Sequence, residues 1–223
     1  MFNLNKRLIL HPQKDKMTDY NDKQIQMLQV AEKLFAEKGF DGTSIREISK
    51  QANINVAMVS YYFGSKEKLL EAIMLYRTND LKVQLEHLFE QKLTPIEKME
   101  KYISLYIQKI NSNKEIYKIL NFEISSNKRT MDLQSFIAVK KGNLATLTKI
   151  IEEGQNQNIF KKDIRIALLS TTIIGTYIHF NNNKIYYKEI LALDTDEKFN
   201  NYIQTDLIDH ITQTINALLI NEK

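Results

Sequence analysis

The chain has 223 residues, 43% of them hydrophobic, a formal net charge of +4, no cysteine, and only two prolines and six glycines. Without cysteine, disulfides, zinc–thiolate sites and thiol catalysis are excluded, and with so few breakers among many Leu, Ile, Lys, Glu and Gln an all-α fold is favoured over a β-rich one. The apolar fraction suffices for a buried core, and no run of about 18 apolar residues exists to cross a membrane. The basic excess, 11 Lys and Arg against 8 Asp and Glu in residues 1–70 but 20 against 19 thereafter, permits nucleic-acid binding by the N-terminal part.

Residues 1–18 keep no hydrophobic period, and their three-residue apolar run is too short for a secretory signal. They read as a flexible arm, with Met17 an alternative start, and a cytoplasmic protein is expected. The first helix is expected over residues 21–38, with Ile25, Leu28, Ala31, Leu34 and Phe35 as its apolar stripe. Gly39 closes it in a Schellman turn that folds Phe40 back on Phe35. Ser44 and Glu47 have the spacing of a capping box and start a short second helix, whose inward face is Ile45, Ile48 and Ala52. Asn53 stands where a tight turn between helices needs positive φ. Asn55 then caps a third helix, in which Val59 and Phe63 point inward and Ala57, Ser60 and Tyr61 outward. Such a small, polar, tyrosine-ended surface suits a major groove. Gly64 breaks this helix, and Ser65 caps a fourth, expected over residues 66–91.

Thr94, Pro95 and Glu97 mark a capped start for a fifth helix, running to residue 110 with Met99, Tyr102, Ile103, Tyr106 and Ile110 on one face. A sixth is expected over residues 114–125, turning Ile116, Ile119, Leu120 and Phe122 inward. A seventh follows over 131–156, an eighth from 162 or 163 to 187, and a last over 197–220, nine in all.

The run AEKLFAEKGFDGTSIREISKQANINVAMVSYYFGSKEKLLEAI resembles the DNA-binding domain of the TetR/AcrR transcriptional regulators across about residues 27–73. Ala31, Phe35, Gly39, Thr43, Ile48, Ala52, Val59, Tyr61, Phe63, Lys66 and Leu69 agree together, while Ser49, Asn53 and Ser60 depart from the commonest form. The resemblance implies an N-terminal three-helix helix-turn-helix DNA-binding domain over residues 19–66 and a C-terminal helical ligand-binding and dimerisation domain over 67–223, linked by the fourth helix. It implies that Asn55, Val56, Ala57, Ser60 and Tyr61 meet bases and phosphates, that Thr43 and Lys66 hold phosphates, and that Ser44 and Arg46 lie in the same contact region. Tyr62 either donates to a phosphate or packs back between helices, and the arm is either disordered or touches the minor groove. The third helix has no outward Arg, Gln or second Asn in its middle to read guanine or adenine bidentately. Base discrimination then falls to Asn55, Arg46, contact of Val56 and Ala57 with thymine methyls, and DNA shape.

In the C-terminal part, Tyr102, Tyr106, Phe122, Phe136, Tyr177 and His179 are candidates to line an effector cavity, or are ordinary core. The eighth and ninth helices are apolar on more than one side, and Leu168, Thr172, Gly175, Leu207, Ile211, Thr214 and Leu218 are the candidate surface for a two-fold dimer built as a four-helix bundle. Catalysis is not expected: the four histidines, His11, His87, His179 and His210, form no metal-ligand constellation, His87 with Glu90 reading as a solvated pair, and neither a phosphate loop nor a serine elbow is present. No cofactor is implied. The expected function is a homodimeric repressor released from a palindromic operator by a small apolar or aromatic effector. The alternative is a DNA-bound adaptor whose C-terminal domain binds a protein partner.

Overall fold

The computed structural model describes residues 20–126 and 134–220, so the expected N-terminal arm lies outside the described residues. Eleven α-helices run in order: α1 (Asp22–Lys38), α2 (Ile45–Gln51), α3 (Val56–Phe63), α4 (Lys66–Glu86), α5 (Pro95–Ser112), α6 (Lys114–Ser126), α7 (Gln134–Asn156), α8 (Ile166–Asn182), α9 (Lys184–Ile190), α10 (Asp196–Tyr202) and α11 (Ile208–Leu219). No strand occurs among the described residues; the one β-like feature is an isolated antiparallel bridge between Phe160 and Ile220. Nor, among them, is any helix long and apolar enough to cross a membrane.

Three helices differ from expectation. The eighth stops at Asn182 because Asn183 leaves the helical angles, at φ −102° and ψ 30°, while its side-chain nitrogen donates back to the His179 carbonyl at 2.8 Å. The segment to residue 190 restarts as α9. The last helix keeps its direction but carries a π turn at Ile203–Leu207 between α10 and α11, one residue per turn too many for a regular ladder. The fourth also ends early as an α-helix, at Glu86, and tightens into a 3₁₀ turn, His87–Glu90.

Side chains bury into two cores. Met27, Leu28, Ala31, Leu34 and Phe35 of α1 pack with Ile48, Val59, Phe63 and the first half of α4, from Leu69 to Met74. Ile116 and Leu120 of α6 join this same N-terminal core, although they lie more than 40 residues further along the chain. The second core gathers Leu81 and Leu85 of α4, the apolar stripe of α5, and residues of α7, α8, α10 and α11. Thus α4 contributes to both. It is tied to α1 by Arg77, whose guanidinium donates to both carboxylate oxygens of Glu32 (Nε at 3.1 and 2.8 Å, Nη2 at 2.6 Å), a forked geometry that resists rotation of one helix on the other.

The start of α5 follows the sequence closely: Thr94 accepts from the Glu97 amide while the Glu97 carboxylate takes the Thr94 amide, with Pro95 in the first turn. The link after α7 is built on Gly154. Its carbonyl accepts from the amides of Ile159 and Phe160, Asn158 takes a positive φ of 57°, and the buried Phe160 ring closes over the glycine. A Cβ at residue 154 would stand 2.1 Å from that ring, whereas one at Gly142 on the same helix meets nothing within 4 Å. Gly154→Ala should therefore cost about 1–3 kcal/mol in urea unfolding, and Gly142→Ala should be neutral or stabilise by up to about 1 kcal/mol.

Candidate nucleic-acid interface

The reading surface begins with the caps that fix α2 and α3. Ser44 accepts from the Glu47 amide at 3.1 Å, but the capping box is only half made, because the Glu47 carboxylate is turned to an ion pair with Lys38 at the end of α1. Asn53 adopts φ 51°, the positive value the turn requires, and Asn55 accepts from the Ala57 amide at 2.9 Å. Gly39 also has positive φ, yet its ψ of 169° lies outside the left-handed helical region, so α1 ends without the expected Schellman pair of bonds. The hydrophobic contact expected there is made all the same, with the Phe35 and Phe40 rings 5.2 Å apart.

On this frame Val59 and Phe63 are buried under α3 while Val56, Ala57, Ser60 and Tyr61 face out, Val56 40% and Tyr61 80% exposed. Arg46, Lys50 and Gln51 of α2 are exposed beside them. The half-buried Tyr62 packs against the N-terminal core, with its ring 6.5 Å from Phe63, which favours the structural alternative for that side chain.

Two residues expected to hold phosphates have other work. Thr43 is buried, and its hydroxyl, which can donate only one proton, lies 3.1 Å from the Leu34 carbonyl and 2.9 Å from that of Gly39. The half-buried Lys66 ammonium donates to the carbonyls of Phe40 and Thr43, each at 2.9 Å, and sits 4.3 Å above the Phe40 ring. These contacts join the end of α1, the start of α2 and the start of α4. A lysine in a sequence gives no sign that its charge is spent on carbonyls; only the approach of Phe40, 26 residues earlier, reveals it.

The six effector candidates are not brought together. Tyr102, Tyr106 and Tyr177 lie in the C-terminal core, where Tyr102 donates to the Asn143 carbonyl (3.4 Å), the Asn143 side-chain nitrogen donates to the Tyr106 oxygen (3.3 Å), and Tyr177 donates to the Asn111 side chain (3.0 Å). Burial pushes the phenols of all three tyrosines up, so they stay protonated and remain donors. Phe136 packs instead against the N-terminal core. Phe122 is 58% exposed, a correction to its inward reading: α6 turns Ile116 and Leu120 down, and residue 122 lies off their stripe. His179 is exposed and lines a surface cleft of about 560 Å³ that Phe180, Tyr187, Tyr202, Asp206 and His210 also border. Asn143 and Asn111 escaped the sequence reading, since a polar residue within a helical stretch carries no mark of burial.

Along that side of the molecule α8 contains no Lys, Arg, Asp or Glu, and neither do residues 210–220, although 26% of the chain is charged. Leu168, Gly175 and Leu218 are exposed there, and Thr172 and Thr214 half-buried. Leu207 and Ile211, expected on the same surface, are buried within the chain, so they support the face from beneath. His87, exposed, has its Nδ1 2.7 Å from Glu90, and no group of three potential metal ligands occurs among the described residues.

The clasp and the reading face separate in experiment. Lys66→Met should lower unfolding free energy by about 1–3 kcal/mol through two abandoned carbonyls and leave the salt dependence of DNA binding unchanged. Arg46→Ala should leave stability within about 0.5 kcal/mol and reduce the slope of log affinity against log salt by about 1.

Comparison with known proteins agrees with this geometry. Residues 27–73 match the family model of bacterial regulatory proteins, tetR family, and residues 95–213 match the tetracyclin repressor-like C-terminal domain. The chain is 28% identical over 184 residues to the HTH-type transcriptional repressor NicS of Pseudomonas putida, covering 77% of this chain and 82% of that protein. Among solved structures it is similar to the fatty acid degradation regulator FadR of Bacillus halodurans (TM-score 0.68, 17% identity, 89% of this chain and 96% of that one). It is likewise similar to FadR of Bacillus subtilis in complex with stearoyl-CoA (TM-score 0.59, 20% identity, 87% and 96%). At these identities the structural likenesses speak for the fold. The two matched segments together show that this chain belongs to the TetR family, whose members are DNA-binding transcriptional regulators and not enzymes.

Proposed function

We propose that the protein is a homodimeric, ligand-responsive repressor of the cytoplasm, in which residues 19–66 read a palindromic operator and residues 67–223 dimerise and take a small effector, with α4 shared between the two. The observation that carries the effector part is the cluster of Tyr102, Tyr106 and Asn143, three buried hydrogen-bonding side chains on the facing helices α5 and α7 among the aliphatic residues of the C-terminal core. Protonated phenols and an amide among aliphatic walls suit a largely apolar or aromatic molecule with one or two acceptors. A ligand that prefers one arrangement of α5 and α7 shifts α4, and with it the reader, by its differential affinity for the two states.

The dimer reading is supported by the lack of charged residues in α8 and in residues 210–220, since charge is depleted at the centre of protein interfaces. Two readers about 34 Å apart then fit successive major grooves. The adaptor reading has its own support in α9, where Ile185 is 87% exposed and Tyr186 and Ile190 are more than half exposed, an apolar surface that a protein partner would cover.

Native mass spectrometry of the purified protein, followed by operator titration with and without the small molecules extracted from it, tests the effector. A bound molecule that weakens operator affinity at least tenfold is expected, and Asn143→Leu should lose that response while still binding DNA. A protein that carries no small molecule and whose DNA affinity responds to none would favour the adaptor. On the DNA side, Tyr61→Ala should weaken operator binding by about 1–3 kcal/mol with an unchanged melting temperature, because its side chain is 80% exposed.

A further inference from the structure

We infer that α3 recognises thymine through its C5 methyl group, with Val56 and Ala57 as the contacting side chains. This rests on the operator-reading role proposed above and narrows what the operator must contain.

Reading adenine or guanine bidentately takes an Asn, Gln, Arg or Lys side chain with both of its polar atoms available to one base edge. The segment VAMVSYYF offers none. Asn55, just before it, presents an amide, but its Oδ1 accepts from the Ala57 amide at 2.9 Å, and without that cap the first turn of α3 loses the partner of an orphan N–H. An adenine contact needs that oxygen to receive the base amino group as well while the nitrogen donates to N7, so the cap competes with adenine reading by Asn55. Bidentate reading falls to α2, where Arg46, Lys50 and Gln51 are exposed.

What α3 does present at its N-terminal end, the part of a recognition helix that meets base edges, is alkyl surface. Val56 is 40% exposed and Ala57 is exposed, while Met58 and Val59 turn towards the core. In the major groove only thymine offers an apolar group of its own. Ser60, one turn on, adds a single hydrogen bond that every base can answer, and Tyr61 projects past it. Thymine recognition on this helix is therefore apolar burial, with a known price per methyl: removing one buried methyl weakens binding about fourfold.

Deoxyuridine in place of thymine deletes that methyl and changes nothing else. The full-length protein would first be used to select its preferred duplex from a random pool, and each thymine of the half-site then replaced singly by deoxyuridine. One or two positions per half-site should lose about fourfold in affinity, and in Val56→Ala the loss at one of them should shrink to near unity. Val56→Thr, which keeps one methyl, should retain part of it; equal melting temperatures confirm that the variants are folded. If a duplex is selected but deoxyuridine is tolerated throughout, or if the loss is the same in Val56→Ala, methyl recognition is wrong and the operator reading stands. If no sequence is enriched, both fall.

Discussion

The geometry of the reading head depends on one half-buried clasp. The Lys66 ammonium takes the carbonyls of Phe40 and Thr43, while the Thr43 hydroxyl lies within hydrogen-bond distance of the carbonyls of Leu34 and Gly39. These oxygens belong to the end of α1 and the connection to α2, where the backbone has no helical partners to offer. Leaving them unpaired in a half-buried place would cost more than an ordinary hydrogen bond returns, so the clasp locks the angle between α1, α2 and α4. The orientation of α3 follows, because Asn53 and Asn55 allow it only one exit from α2.

Because α4 starts at this clasp and continues into the second core, any tilt of α4 is felt at both ends. Two further links run between the parts: the Arg77 and Glu32 fork between α4 and α1, and the insertion of Ile116 and Leu120 of α6 into the N-terminal core. Displacing α6 would open a cavity beneath α1, whereas moving it together with α1 and α4 would not. A close-packed interior favours the second course, in which helices move as packed units rather than deform.

Much of this was legible in the sequence, and the misses share a cause. Helix starts were readable because caps are local: Thr94 with Glu97, Ser65, Asn53 and Asn55 act within four residues of themselves. Inward faces were readable from period for α1, α3 and α5. What failed was non-local or a matter of one residue's angle. Thr43 and Lys66 looked like surface ligands because their carbonyl partners lie up to 26 residues away; Glu47 was claimed by Lys38 across a helix boundary; Phe122 and the pair Leu207 and Ile211 were placed on the wrong side of their helices by about one position. The break at Asn183 has a readable device, an asparagine bonding back to the last turn, but three consecutive asparagines gave no reason to choose that one. The effector residues were the least legible, since a buried tyrosine and a pocket tyrosine have the same pattern until the neighbouring helix is in place.

Hydroxyl-radical footprinting of the full-length protein on its selected duplex addresses the dimeric reader most directly. Two protected patches related by the duplex dyad and centred about 34 Å apart are predicted, both lost together in Tyr61→Ala. A single patch, or protection that does not change with Tyr61, would contradict the assignment of α3 as the paired reading helix.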